Sequence, residues 1–295
     1  MPAKIIDGKK LASELEASLE PRISALEEKG VKPVLAVVLV GNNPASELYV
    51  KKKQEASRQL GIESRKIELP ETVPEKELIE EIKKLNSDKK THGVLVQLPL
   101  PPGINTTHVI ESILSEKDVD GFTSQNMGKL ALGVEELVSC TPKGIVKLIE
   151  STGKRFEGAR ACIVGHGLAV GLPLALMLFN RNCTLSVCDR HTKNLALETC
   201  NADILVSCAG VPSLVRGGMI KEGAVVIDVG INRVNGRLCG DVLFEEAMEK
   251  AGFITPVPGG VGPMTVACLM ENTVIAAEKA AGAERIKTGG NGFED

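Results

Sequence analysis

The chain has 295 residues, enough for two domains or one large one, and its 43% hydrophobic and 25% charged content is ordinary for a soluble globular protein. A net charge of −3 implies no polyanionic partner, and 2% aromatics, with no Trp and one Tyr, leave no base-stacking surface for nucleic acid. The polar N-terminus lacks the apolar core of a signal peptide, and no apolar run approaches a membrane span, so a cytoplasmic protein is expected.

In chain order, Leu11, Leu15, Leu19, Ile23 and Leu26 recur at helical spacing and predict an amphipathic helix over 9–29, ended by Gly30. Val34-Leu35-Ala36-Val37-Val38-Leu39-Val40 is continuously apolar, as a buried parallel strand requires, and Gly41-Asn42-Asn43-Pro44 breaks it. A helix over 45–60, a strand over 64–69, a helix over 75–85 and a buried strand over 93–98 follow. Leu98-Pro99-Leu100-Pro101-Pro102 stops that strand, and a short helix covers 105–114. This alternation predicts an α/β unit with a mostly parallel sheet, whose ligands sit beyond the carboxyl ends of the strands. Three loops occupy such ends: after Val40, after Gln97, and around Asp118-Val119-Asp120-Gly121.

A second unit begins near Cys140-Thr141-Pro142-Lys143-Gly144, with a helix to about residue 151. Strands are expected over 160–164, 183–188, 203–207 and 224–228, with a helix over 172–179. Asn235-Gly236 predicts a type I′ hairpin over 232–238. The stretch 254–265 holds three prolines and three glycines, and reads as neither helix nor sheet interior. Such a stiff, side-chain-poor loop suits a wall against a flat ligand; a domain-linking turn is the plainer alternative. A final helix over 265–281 carries Val266, Leu269, Met270, Val274 and Ile275, and the glycine-rich tail from Gly282 is expected to fray. Eight cysteines form no Cys-x-x-Cys pair and sit mostly in apolar runs, so they read as buried reduced thiols rather than disulfides or a metal site.

Gly165-x-Gly167-x-x-x-Gly171, between a strand and a helix, reads as a Rossmann-type first turn whose amides and helix N-terminus meet a pyrophosphate. Its last spacing is one residue longer than the usual fingerprint, so a ligand-free turn stays open. Asp189 closes the second strand, where an acid bonds a ribose 2′-hydroxyl; its neighbours Arg190 and His191 could instead attract a 2′-phosphate.

The first half carries a different group. Tyr49 and Lys53 are four apart on a helix and share a face: a phenol to stack on a ring beside an ammonium to move a proton. The plainer reading of Lys51-Lys52-Lys53 is surface charge. Gln97 ends an otherwise apolar strand and must be either a ligand contact or a satisfied core amide. Asp120 could accept hydrogen bonds from a ring N–H and an amino group, or cap a turn.

These segments together resemble the bifunctional methylenetetrahydrofolate dehydrogenase/cyclohydrolase family. Tyr49-x-x-x-Lys53, Gly93-Val94-Leu95-Val96-Gln97-Leu98-Pro99-Leu100-Pro101, Lys117-Asp118-Val119-Asp120-Gly121, Cys140-Thr141-Pro142-x-Gly144 and Pro256-Val257-Pro258-Gly259-Gly260-Val261-Gly262-Pro263-Met264-Thr265 match in order. The resemblance implies a two-domain α/β fold: a folate domain over 1–139, an inserted Rossmann domain over 140–263, and a C-terminal helical segment, 264–295, packing back on the first. It also implies a homodimer. Tetrahydrofolate one-carbon derivatives would lie in the cleft, with the pterin on Asp120 and Gln97, Tyr49 stacked, and Pro258, Gly259 and Gly260 as the wall. Lys53 would handle protons, tuned by Gln97. The nicotinamide would lie near Thr141, Gly230 and Ile231, and no metal is implied.

The chain departs from the family pattern at the cofactor end. His166 and Gly167 stand where the family has Arg and Ser, and Asp189-Arg190-His191 replaces its usual run before Thr192. The replaced groups would hold the 2′-phosphate of NADP. The family default is therefore NADP, whereas Asp189 leans toward NAD and Arg190 toward phosphate. A monofunctional NAD-dependent dehydrogenase and a non-catalytic dinucleotide sensor are the competing readings; the presence of Lys53, Gln97 and the other folate residues argues against both.

Overall fold

The computed structural model describes residues 2–282. Strand β1 (Lys4–Ile5) is followed by helix α1 (Gly8–Glu27), capped by the Asp7 carboxylate, which accepts from the amides of Lys9 and Lys10. The buried face of α1 is Ala12, Leu19, Ile23 and Leu26, and Gly30 follows with φ +74°. Strand β2 (Val34–Val40) is buried along its whole length. After helix α2 (Pro44–Gln59) come β3 (Glu63–Leu69), α3 (Glu75–Ser87) and β4 (Gly93–Val96). The three strands form a parallel sheet in the order β3-β2-β4. Leu35, Val37 and Leu39 of β2 enter a core with α1, and Ala36, Val38 and Val40 enter another with α3, so every position of β2 must be apolar.

Helices α4 (Thr106–Glu111), α5 (Ser124–Ala131) and α6 (Cys140–Glu150) lead into the second sheet. Its strands and helices are β5 (Arg160–Val164), α7 (Gly171–Phe179), β6 (Thr184–Cys188), α8 (Leu195–Thr199), β7 (Ile204–Ser207), β8 (Val225–Asp228), the hairpin β9 (Asn232–Val234) and β10 (Arg237–Cys239), α9 (Phe244–Lys250) and β11 (Phe253–Ile254). The sheet is parallel, in the order β6-β5-β7-β8-β11-β1, and β1 pairs Ile5 with Ile254 at its edge. The chain reverses its direction across the sheet between β5 and β7, the switch point where such sheets bind ligands. The hairpin turns through Asn235 (φ 50°) and Gly236 (φ 78°), as a type I′ turn requires. Helix α10 (Val261–Ala280) is largely buried and packs on α1 and α6. No helix among the described residues is long and apolar enough to cross a membrane.

The structure corrects several sequence-based bounds. Strand β4 ends at Val96 rather than 98, although the Gln97 amide still donates to the Val38 carbonyl at 2.8 Å. Within 254–265, Ile254 belongs to β11 and Val261 already opens α10, so the loop proper is 255–260. Pro263 is tolerated in α10 because the first amides of a helix have no intrahelical acceptor. Strands β1 and β11 and helices α5, α8 and α9 were not expected; they are too short for a periodic signal. Cys140, Cys162, Cys183, Cys188 and Cys268 are buried, but Cys200, Cys208 and Cys239 are partly exposed. The fraying expected of the tail beyond Gly282 concerns residues outside those described.

Candidate active site

Helix α2 leaves the end of β2 and turns one of its three consecutive lysines inward. Lys53 Nζ donates to Gln97 Oε1 at 2.9 Å, and Gln97 Nε2 donates to the Leu98 carbonyl at 2.7 Å, which orients the amide with its oxygen toward the lysine. Lys51 and Lys52 are exposed; the former pairs with Glu55 at 4.0 Å, and the latter stands 5.9 Å from the Tyr49 ring. Tyr49 is partly buried, and burial raises its phenol above its ordinary pKa. Ser57, one turn beyond Lys53, donates to Met270 Sδ at 3.3 Å and ties α2 to α10.

The two aspartates after Lys117 separate in role. Asp118 is buried and accepts from the amides of Gly121 (2.9 Å) and Thr123 (2.8 Å) and from Asn126 Nδ2 (3.0 Å); it is the turn-forming carboxylate. Asp120 is partly buried and takes no part in that capping. Burial raises its pKa to about 6 against the opposing attraction of the Lys53 ammonium; the Asp118 charge raises it further, and the Cys140 thiol hydrogen bond lowers it. Asn272 on α10 clamps this turn from behind, donating to the carbonyls of Val119 and Val138, both at 2.8 Å, while its own oxygen accepts from Lys143 Nζ at 2.8 Å.

The 255–260 loop carries a cis Val257–Pro258 peptide, and a second cis bond, Leu98–Pro99, follows Gln97. Gly259 has φ +110°, a conformation that favours glycine. Gly8, at the start of α1, lies so close to this loop that a Cβ there would overlap the Gly260 oxygen. Thr265, one turn into α10, lies 3.0 Å from the Thr141 hydroxyl, and a Cβ on Gly144 would approach Met264 Cβ to 2.9 Å. Thr141 therefore sits where α6 meets α10.

At the other end, the turn after β5 has the shape of a dinucleotide cradle. Gly165 has φ +110°, and a Cβ there would stand 2.7 Å from the Cys208 oxygen; one on Gly171 would overlap the Gly165 oxygen. These two glycines are needed for close packing, whereas Gly167 and Gly210 face open space where a ligand can approach the backbone. The residues thus fit a pyrophosphate despite the longer spacing. Asp189 Oδ2 lies 3.3 Å from His166 Nε2, Oδ1 accepts from the His191 amide at 2.8 Å, and the His191 amide followed by His166 lowers its pKa. Arg190 turns to the His191 ring rather than to Asp189.

The sequence reading did not single out the two buried carboxylates behind Gly230. Asp228 accepts from the amides of Gly230, Asp241 and Val242, each at 2.9 Å, and burial outweighs those bonds and raises its pKa to about 6. Asp241 holds the loops after β7 and β8. Gly230 itself has no room for a Cβ beside Asp241, and Ile231 next to it is 56% exposed. Asp228 had the same signal as Gln97, a polar residue closing an apolar strand; Gly8, Asp241 and Asn272 had none that was local.

Two family models match the chain: the tetrahydrofolate dehydrogenase/cyclohydrolase catalytic domain over residues 6–120, and the NAD(P)-binding domain of the same family over residues 139–281. The bifunctional protein FolD of Moorella thermoacetica is 51% identical over 280 residues, covering 95% of this chain and 100% of that protein. Among solved structures, the bifunctional FolD enzyme of Campylobacter jejuni is 47% identical with a TM-score of 0.92, covering 94% of this chain and 99% of that one. The Trypanosoma brucei FolD enzyme, solved with NADP and an inhibitor, is 37% identical with a TM-score of 0.91, covering 95% of this chain and 98% of that one.

Proposed function

The chain belongs to the tetrahydrofolate dehydrogenase/cyclohydrolase family, and on that premise we propose how its residues divide the two reactions. It is an enzyme that oxidises 5,10-methylenetetrahydrofolate to 5,10-methenyltetrahydrofolate with a nicotinamide cofactor, and hydrolyses the product to 10-formyltetrahydrofolate. The monofunctional alternative is not favoured.

The single observation that carries our reading is the Lys53–Gln97 hydrogen bond, whose ammonium also acts electrostatically on the Asp120 carboxyl. We assign Asp120 to the pterin: ionised, it accepts from a ring N–H and the adjoining amino group. Gln97 contributes to the same subsite, Tyr49 stacks on the ring system, and Pro258, Gly259 and Gly260 form the opposite wall. In this reading the folate domain is 1–139, completed by the C-terminal segment from 264, with 140–263 as the dinucleotide unit; β1 crosses that division by joining the second sheet, and the returning helix α10 already starts at Val261.

When bound, the nicotinamide supplies the acceptor for the hydride that leaves the methylene carbon. The chain's own part in that step is positioning, by the glycine turn at Gly165, Gly167 and Gly171, and by Thr141, Gly230 and Ile231. The second step needs proton movement. Water adds to the methenyl carbon and loses a proton; the bond from that carbon to N5 then breaks as N5 gains one. Lys53 relays that proton from the water to N5. Gln97 Oε1 orients the lysine side chain without adding a charge.

For the cofactor we infer NADP, the partner present in the Trypanosoma brucei relative's structure, with Arg190 and His166 as the phosphate-facing groups. Asp189 also offers an acceptor to a bare ribose, so NAD is a second cofactor. We further infer a homodimer through the unpaired edge of β6, where Val187 is 47% exposed and the nearby helices α7 and α8 expose Phe179 and Leu197. Eight thiols without a disulfide fit a cytoplasmic enzyme. Initial rates with methylenetetrahydrofolate, followed for both reduced cofactor and methenyl product, test the assignment; a methenyl signal that decays no faster than without enzyme would remove the second activity.

A further inference from the structure

Asp241 is fully buried, and each of its oxygens serves a different loop. Oδ2 accepts from Ser207 Oγ (3.2 Å) at the end of β7 and from the amides of Ala209 (2.8 Å) and Gly210 (3.0 Å) just beyond it. Oδ1 accepts from Asn232 Nδ2 (2.9 Å), at the start of the hairpin that follows β8. The loop between those partners, at Cys208, is the one against which Gly165 packs: Cys208 Sγ donates to the Gly165 oxygen at 3.3 Å. One carboxylate therefore ties together the carboxyl-end loops of β7 and β8 and, through Cys208, touches that of β5. These are three adjacent strands, two of them flanking the switch point.

We infer that Asp241 is a positioning residue for the dinucleotide: its carboxylate sets the β7 and β8 loops in register with the glycine turn, and the dehydrogenase depends on it while the cyclohydrolase does not. This rests on the proposed cofactor site at the glycine turn and Gly230–Ile231. A carboxylate suits the task because it is acceptor-only and offers both oxygens to donors. An amide there must present an NH2 either to the β7 amides or to Asn232.

The test uses the full-length enzyme with Asp241→Asn, the reciprocal pair Asn232→Asp with Asp241→Asn, and Ile231→Ala. Three quantities are read: the Kd of NADP by calorimetry without folate, the cyclohydrolase rate on methenyltetrahydrofolate without dinucleotide, and the Tm. Asp241→Asn should raise the Kd about tenfold, the scale of a lost hydrogen bond to a charged group, and leave the cyclohydrolase within about twofold. The reciprocal pair, in which the amide now at position 241 donates to the carboxylate now at position 232, should recover most of the affinity; a purely steric or folding role would not be rescued that way. Equal losses in both activities would overturn the proposal. A normal Kd in Asp241→Asn with a raised Kd in Ile231→Ala would overturn it while sparing the cofactor site; a normal Kd in both would remove the site reading as well. Should Asp241→Asn not fold, Asn232→Leu removes the same bridge from a partly exposed side chain, and the same split between Kd and cyclohydrolase rate is expected.

Discussion

Lys53 and Gln97 stand 44 residues apart in the chain and 2.9 Å apart in space. They meet because β2 and β4 are parallel neighbours, so that the helix after one and the residue after the other emerge at the same sheet edge. The partner of the ammonium is a neutral amide rather than a carboxylate, and this carries a prediction. Gln97→Glu should pair the lysine with a full charge and hold it protonated, and the cyclohydrolase should fall more than the dehydrogenase. Lys53→Met should lower the cyclohydrolase by about a hundredfold or more, the scale of a lost general acid–base group, and the dehydrogenase by much less. Separate assays of cofactor reduction and methenyl decay on each variant decide it. An equal fall in both activities would assign the pair to folate binding instead.

Asp120 and stability are linked through pH. Its folded pKa lies above the ordinary value, at about 6, so the folded protein binds this proton more tightly than the unfolded chain. The stabilisation from holding the proton is complete below the unfolded value near 4. It is lost as pH rises through about 6. At neutral pH the ionised, partly buried carboxylate therefore destabilises the fold, by up to about 2 kcal/mol. Asp120→Asn should raise the Tm by a few degrees at pH 7.5 and leave it nearly unchanged at pH 4, while weakening folate binding. Thermal melts across that range check the sign; a variant that melts lower at pH 7.5 would contradict a burial penalty on this carboxylate.

The proposed group was legible where chemistry and local pattern coincide: a polar residue ending an apolar strand (Gln97), and a phenol and an amine on one helix face (Tyr49 and Lys53). Sequence left Asp120 two uses, ligand acceptor or turn cap, and could not show that Asp118 takes the cap, because that depends on how one turn folds. Nor could it find Asn272, whose partner carbonyl at Val119 lies 153 residues away. The start of α10 was misread because glycine and proline signal a loop by composition, although the first turn of a helix tolerates both. Asp241 was hidden for the same reason as Asn272: its role exists only once three strand ends are side by side.

Asp189 sets the second cofactor question. Its carboxylate is held ionised by the His191 amide and by His166, and it stands at the carboxyl end of β6, where a ribose 2′-position is expected. A 2′-phosphate there meets a like charge. Asp189→Ser should raise the ratio of kcat/KM for NADP over NAD by about tenfold or more, and Arg190→Ala should lower it. The cyclohydrolase should not move with either. If Asp189→Ser leaves the ratio unchanged, the carboxylate does not face the ribose.

Gly8 offers a prediction in which two effects oppose each other. In a helix, replacing glycine by alanine ordinarily stabilises by up to about 1 kcal/mol, through helix propensity. Gly8 is the first residue of α1, but its missing side chain is what lets the helix rest on the Gly259 and Gly260 carbonyls. A methyl group there overlaps backbone, which cannot rotate away, and the overpacking costs about 1–3 kcal/mol. The steric term wins, so Gly8→Ala should lower the Tm. The shift must be taken up by the 255–260 loop, the proposed wall of the folate cleft, so KM for folate should rise in both reactions while the Kd for NADP stays near its original value. Gly262→Ala, on the same loop-to-helix junction but facing open space, is the control and should do neither. A lowered Tm in Gly8→Ala with unchanged folate KM would detach this loop from the substrate, and an unchanged Tm would mean that α1 can slide to make room.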